Sequence, residues 1–304
     1  LTVGNFWIHF TSALASRIIR EAITPLDDKE RVNVLIIDDS MFERNRSKKV
    51  ELLAKVFDHA KHTYRFGFRM LTLGWSDGST FLPVNSILLS SDNEKNRINE
   101  AANIGKRTVG YKHRRLSMTK GAQAMIELLK MAKTVNVPAK YVLFDSWFSS
   151  PSTLHAVKEI GYDVIGMVKK TPKMFFRYEG TDMYLTAIYK RNKYLCLIST
   201  DTTLDEDEII RIYGKRWDIE VFFKVCKSYL RLSRECNSLS YDAMTAHVAF
   251  VFTKYMMLFI ENRESQDKRS LGELFLYFSD DMSDITWVQA FQLMLQMFKT
   301  LPTD

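Results

Sequence analysis

The sequence predicts an α/β fold: a mixed sheet flanked by helices, with a β-rich insertion ahead of a long helix. Three observations carry this. Two short apolar runs, residues 34–37 (VLII) and 141–144 (YVLF), each end in an aspartate, Asp38 and Asp145. Such runs read as buried strands, and in open α/β sheets sites gather at strand ends. Between them, Ser76-Asp77-Gly78 is a hairpin signal joining strand-like segments 63–73 and 79–90. After the second run, Pro151 opens a helix and Gly161 ends it, and residues 162–168 return as a strand.

The elements follow in order. Residues 5–23 have apolar positions at helical spacing, and 24–32 form a polar connector, so 1–32 is expected as an N-terminal helical segment. The core begins with the strand at 34–37. Residues 47–62 read as a helix, with His59 and His62 on its exposed face. An amphipathic helix at 119–135 stops before Pro138. The first part of the core thus spans 33–168. Residues 169–203 form the insertion, with strand-like patches at 174–178, 183–189 and 193–199. Asp205 with Glu208 opens a long helix to about residue 231, within a second core part, 204–264. Residues 265–304 are expected as a C-terminal helical segment. The first residue is Leu1 rather than Met, which reads as a piece of a longer chain.

Composition narrows the partners. Of 304 residues, 43 are Lys or Arg against 36 Asp or Glu, a net charge of +7 that suits a polyanion. Three cysteines, Cys196, Cys226 and Cys236, are an odd number with no CxxC pair. A disulfide framework and a cysteine zinc site are therefore not expected, and the compartment reads as reducing and intracellular. The apolar stretch 243–260 carries His247 and Lys254 and reads as a buried core helix, not a membrane span.

The chemistry concentrates on the long helix. Tyr213, Arg216, Glu220 and Lys227 lie at offsets 0, 3, 7 and 14. On a continuous helix they fall within about 60° of one another. The surrounding positions include Ile212, Ile219, Phe222, Phe223 and Val225. A polar stripe on a mostly buried helix needs a partner, and strand-end aspartates would supply one. An internal Arg216–Glu220 pair at i,i+4 accounts for two of the four residues. Two basic stretches offer a track for phosphates: Lys106, Arg107, Lys112, Arg114, Arg115 and Lys120, then Lys169, Lys170 and Lys173 with Arg177, Lys190, Arg191 and Lys193.

The spacing Tyr213-x2-Arg216-x3-Glu220-x6-Lys227 resembles the signature of bacterial insertion-sequence transposases of the insertion-sequence-four type, over roughly residues 33–260. The resemblance implies a ribonuclease H-like core with a mixed five-stranded sheet. It implies a DDE transposase that cleaves DNA strands and transfers the 3′ ends into target DNA. Its first acid would be Asp38 of Asp38-Asp39-Ser40, its second Asp145 at the end of the fourth strand, and its third Glu220. Strand alternation sends Asp38 and Asp39 to opposite faces, so one of the two should ligate metal. The implied cofactor is a pair of Mg²⁺ or Mn²⁺ ions held by Asp38, Asp145 and Glu220. Arg216 and Lys227 would hold phosphates, and Tyr213 would bond a phosphate near the scissile bond. The implied partners are transposon ends and target DNA, engaged by a homodimer in a synaptic complex on the bacterial nucleoid, with no membrane. The alternatives are a metal-dependent nuclease of the same fold and a non-catalytic DNA-binding remnant. The sequence departs from the family at Asp145-Ser146-Trp147-Phe148, where Asp-Arg-Gly-Phe is common. No Trp lies between Phe148 and Arg216, which leaves Phe175, Phe176, Tyr178, Tyr184, Tyr189 and Tyr194 as stacking candidates in the insertion.

Overall fold

The run Val34-Leu35-Ile36-Ile37 has no solvent exposure at all, which requires cover on both faces of its sheet. A computed structural model of the chain describes residues 3–24, 31–46, 48–58, 61–169, 184–190, 193–232, 234 and 236–264. Residues through Met256 form one compact unit, and residues 257–304 a second, of which only the last turns of one helix are described. His59, the patch 174–178, the side chains of Lys170, Lys173, Phe175, Phe176 and Tyr178, the side chains at 184–194, and the segment 265–304 lie outside the described residues.

Helix α1 (Val3–Ile18) leads through a π-helical turn into strand β1 (Val34–Glu43). Then come β2 (Ala54–Asp58), β3 (Thr63–Ser76), β4 (Phe81–Leu89), α2 (Val109–Ser117), α3 (Gly121–Thr134) and β5 (Tyr141–Phe144). Helix α4 (Pro151–Ile160), β6 (Asp163–Val168), β7 (Tyr184–Lys190) and β8 (Lys193–Ser199) follow. Helices α5 (Glu206–Gly214), α6 (Trp217–Ser228) and α7 (Tyr241–Glu264) complete the described chain.

The sheet has eight strands in the order β2-β3-β1-β5-β6-β8-β7, with β4 also on β3. Strand β1 is central. It runs antiparallel to β3 and parallel to β5, which is parallel to β6. The long β3 gives its first residues to β2 and its remainder to β4 along one edge. The expected ribonuclease H-like class holds, as a mixed sheet flanked by helices. It is wider than the five strands expected, because β2 adds an edge and β8 joins β6 antiparallel, so β7 and β8 extend the main sheet. Helix α3 packs on β3 and β4, α4 on β6, and α6 on β1 and β4.

Local chemistry explains several boundaries. Ser150 accepts from the Thr153 N–H at the start of α4, where Pro151 fills the first turn. Gly161 ends it at φ 92°, a left-handed position that costs other residues. A Cβ at Gly67 would lie 2.2 Å from the Phe42 carbonyl oxygen, so glycine permits the close approach of β3 to β1. Helix α7 is the one described helix long and apolar enough to cross a membrane by length and composition. Its Tyr241, Met244, Val248 and Phe252 are buried, and Phe252 and Tyr255 meet Phe222 edge-on.

Four expectations change. The helix expected at 47–62 is a turn followed by β2, whose alternating burial of Ala54, Val56 and Asp58 is a strand period. His62 accordingly sits in an exposed turn at φ 50°, not on a helix face. Strand β1 does not stop at Asp38. It loses its parallel partner after Ile36↔Leu143 but continues against β3 to Glu43. The single helix expected from residue 205 to 231 is two helices, separated at Lys215-Arg216, where the Lys215 and Arg216 N–H groups bond back only three residues.

Candidate functional site

The early end of β5 opens the site. Beyond Leu143 the β1 backbone has no parallel neighbour, and Asp38 lies two residues past the last paired position. Asp145 directly follows β5. Helix α6 packs on β1 and carries Glu220 to the same place. All three line one open cleft of about 1520 Å³, together with Asp39, Arg69, Trp147, Lys169, Lys224 and Lys227. The cleft is rich in cations, since Arg44, Arg46, Lys61 and Arg234 also line it.

Each acid is held differently. Asp38 receives Arg216 Nη1 at 2.8 Å and the Asp39 N–H at 2.8 Å. Burial pushes its carboxyl up to about 7, against the pull of the Arg216 guanidinium, while Glu220 and Asp39 push it further up. Asp145 Oδ1 accepts the Trp147 N–H at 2.9 Å. Burial raises its carboxyl too, opposed by that N–H. Glu220 is exposed to the cleft, 3.8 Å from Arg216 Nη2. The guanidinium of Arg216 therefore stands between Asp38 and Glu220.

Asp39 belongs to a separate pair. It faces Arg69 of β3, which donates Nε to Asp39 Oδ2 at 2.8 Å and Nη2 to Oδ1. The two occupy diagonal positions on one face of the β1–β3 ladder. The neighbouring aspartates take different partners, Asp38 Arg216 and Asp39 Arg69, yet both line the one cleft.

The rest of the helix stripe divides at the break. Tyr213 is turned to the sheet and donates to the Phe144 carbonyl at 3.4 Å, its phenol pushed up to about 12 by burial. It thereby steadies the end of the strand that delivers Asp145. Lys227 stands at the cleft wall, its ammonium lowered by loss of solvent although Asp58 and Glu43 favour its charge.

The expected basic track fares unevenly. Lys169 lines the cleft. Lys106, Arg107, Lys112, Arg115 and Lys120 are exposed on and around α2 but do not line it. Arg114 is a correction. Its side chain is 3% exposed and bonded to Glu51 and Asp242, so it is a structural ion rather than a surface cation. Sequence reading missed Arg69, Trp147, Lys61 and Lys224. The available signal for Arg69 was a charge inside an otherwise apolar strand, FGFRMLTLGW.

The residues fit a hard divalent cation in kind: three carboxylates, hence oxygen donors, around one cleft, one of them strained by burial toward a protonated state. Among the described residues, no three His, Cys, Asp or Glu side chains are gathered closely enough to share an ion. Arg216 instead pairs with two of them, Asp38 and Glu220.

Comparison with known proteins gives the family. A search of curated proteins finds no match. Residues 7–190, more than half of the chain, match the family described as DDE superfamily endonuclease, a match that takes in Asp38 and Asp145 and ends before Glu220. The chain belongs to the DDE superfamily endonucleases.

Proposed function

We propose that this endonuclease is a DNA transposase of the insertion-sequence-four type, which cuts DNA strands and joins the freed 3′ ends to target DNA. The observation that carries the reading is the delivery of Asp38 and Asp145 by adjacent parallel strands into one cleft with Glu220. The Tyr213-Arg216-Glu220-Lys227 spacing supports the narrower assignment. Asp38, rather than Asp39, is taken as the first acid, because its guanidinium partner Arg216 also reaches Glu220, whereas Asp39 is paired with Arg69 of the neighbouring strand.

Asp38, Asp145 and Glu220 would hold Mg²⁺ or Mn²⁺. A pair of such ions, when bound, supplies activation of a water or 3′-hydroxyl and stabilisation of the leaving oxygen. The protein's own residues set the rest. Arg216 keeps the acids compatible with one another before loading and is released toward a phosphate afterwards, where its planar fork suits two oxygens. Lys224 and Lys227 hold phosphates along the cleft wall as point charges. The Trp147 N–H fixes one oxygen of Asp145 and so the carboxylate's orientation. The protein would work as a homodimer bringing two transposon ends together on the bacterial nucleoid.

The test is incubation of the protein with Mg²⁺, a plasmid bearing the DNA that flanks its gene, and a target plasmid. Nicked ends and joined products are expected. Nicking without joining reduces the protein to a nuclease, and no cutting with Mg²⁺ or Mn²⁺ overturns the reading. A second expectation concerns Lys227→Ala. It should weaken binding to end DNA and random DNA equally, because phosphate contacts carry no sequence information. It should also flatten the log–log salt dependence by about 0.9 for each phosphate the variant no longer neutralises. An unchanged slope with lower thermal stability would assign Lys227 to an internal pairing with Asp58 and Glu43.

A further inference from the structure

The cations around α2 are set apart from those elsewhere on the surface. Residues 101–126 contain no acid and carry Lys106, Arg107, Lys112, Arg114, Arg115 and Lys120. The fold sorts these six in two ways. Arg114 is buried with Gly110, His113 and Ser117, and its guanidinium is taken up by Glu51 and Asp242. The other five are exposed, and among the described residues none of them makes an ion pair. By contrast, the exposed Lys130, Lys140, Lys158 and Arg211 are each answered by a carboxylate. Lys112 and Arg115 lie one turn apart on the side of α2 opposite its buried residues. Lys106 and Arg107 precede the helix, and Lys120 follows it. The row is firmly held. The Thr108 hydroxyl accepts the Tyr111 N–H at one end, the Ser90 N–H bonds the Ser117 carbonyl at the other, and Arg114 pins the middle. It also reaches the acid cleft. A Cβ at Gly121, the residue after Lys120, would lie 3.7 Å from the indole nitrogen of Trp147, which lines that cleft.

That arrangement has a chemical meaning. Cations held side by side with no acid among them repel one another in the free protein, and a polyanion relieves the repulsion. The nine residues of α2 span about 13 Å, the length of about four base pairs of duplex. Long basic side chains along such a row suit phosphates, which position a duplex without reading its sequence. We propose that the outer face of α2 is a second DNA-binding surface, outside the acid cleft, that holds the backbone of the duplex flanking the cut as it leaves the cleft past Trp147. This rests on the endonuclease reading of the cleft. Lys106, Arg107, Lys112, Arg115 and Lys120 then serve affinity and footprint length and take no part in the chemical step. The burial of Arg114 is what turns its neighbours Lys112 and Arg115 outward.

The experiment compares wild type with the double variant Lys112→Gln, Arg115→Gln. A control double variant, Lys140→Gln, Lys158→Gln, removes the same charge beside the first residues of β5 and β6, at the far end of β5 from Asp145. Binding is measured across salt concentration on a blunt duplex of several turns and on one of a single turn. On the long duplex the α2 variant should show a log–log salt slope flatter by about 1.8, from about 0.9 for each of two phosphates. Between about 50 and 200 mM salt it should then lose about 10-fold less affinity than wild type loses. The gain in affinity from short to long duplex should shrink in the α2 variant and persist in the control. Single-turnover cleavage at saturating DNA and thermal unfolding should not change, because both side chains are exposed, unpaired among the described residues and outside the cleft. An equal flattening in the control makes net charge the cause and overturns the surface. Slower cleavage at saturating DNA overturns it too, by placing these residues at the reacting strand. If the slope is indifferent to Lys112 and Arg115 while wild type still cuts DNA with Mg²⁺, the surface falls and the endonuclease reading stands. If wild type neither binds nor cuts DNA, both fall.

Discussion

Asp145→Asn is expected to lower Mg²⁺-dependent strand cleavage about 10³-fold or more, the loss of roughly 4 kcal/mol of transition-state stabilisation by bound metal. Asparagine keeps the shape of the side chain and an oxygen that can accept the Trp147 N–H, so the turn after β5 should survive. It removes a charge that burial already disfavours, so folding loses little. Single-turnover cleavage, thermal unfolding and DNA affinity measured on the same preparation separate these effects. Activity lost with affinity and melting temperature retained is the expected result. Full activity in the variant would remove Asp145 from the acid set. Asp38→Asn is a different experiment. It deprives Arg216 of its 2.8 Å partner and leaves the longer 3.8 Å contact as its ion pair with Glu220, so stability and activity should change together. That contrast makes Asp145 the cleaner test of metal chemistry.

The candidate acids could be named from sequence because each depends on local pattern. An apolar run ending in Asp marks a buried strand approaching a site, and the helix signature marks its partner. What surrounds them depends on register, which local pattern does not encode. Arg69 meets Asp39 only because β3 pairs with β1 in a register that sets them diagonally, thirty positions apart in the chain. Arg216 could be read as a partner of Glu220 from its i,i+4 spacing, but its shorter bond goes to Asp38, 178 positions away. The break between α5 and α6 was hidden for another reason. Lys215 and Arg216 keep right-handed helical angles, and only the shift to three-residue hydrogen bonds separates the helices. Residues 47–62 show the opposite failure. Apolar spacing there fits a helix, but the edge of β3 needed a partner, and the alternation of Ala54, Lys55 and Val56 fits a strand equally well.

Arg114→Ala should destabilise the fold by about 3–5 kcal/mol, the cost of breaking a buried ion network by removing one partner. Arg114 donates Nε and Nη2 to Glu51 at 2.6 and 3.1 Å, and Nη1 and Nη2 to Asp242 at 2.8 and 3.0 Å. Glu51 also accepts the Tyr241 and Ala102 N–H groups, so one carboxylate ties α2, the start of α7 and the loop before α2 together. Alanine would leave Glu51, 11% exposed, without its cation. Lysine would restore charge but not the two-pronged geometry, and should recover only part of the loss. Acid should act on the same region in two windows. Burial holds His113 at about 4, below its ordinary 6.5, against the pull of nearby Asp242 and with Arg114 and His9 also lowering it. The unfolded chain therefore gains a proton first, and about 1.4 kcal/mol is lost per pH unit between those values. Burial by itself would raise Glu51, but its bonds to Arg114, Tyr241 and Ala102 outweigh that and hold it below 4.5. Its stabilisation is present above that value and disappears as pH falls through the lowered one. Urea unfolding across pH would show both windows, and Glu51→Gln should erase the lower one. A negligible stability change in Arg114→Ala, accompanied by a flatter salt dependence of DNA binding, would instead return Arg114 to the phosphate track.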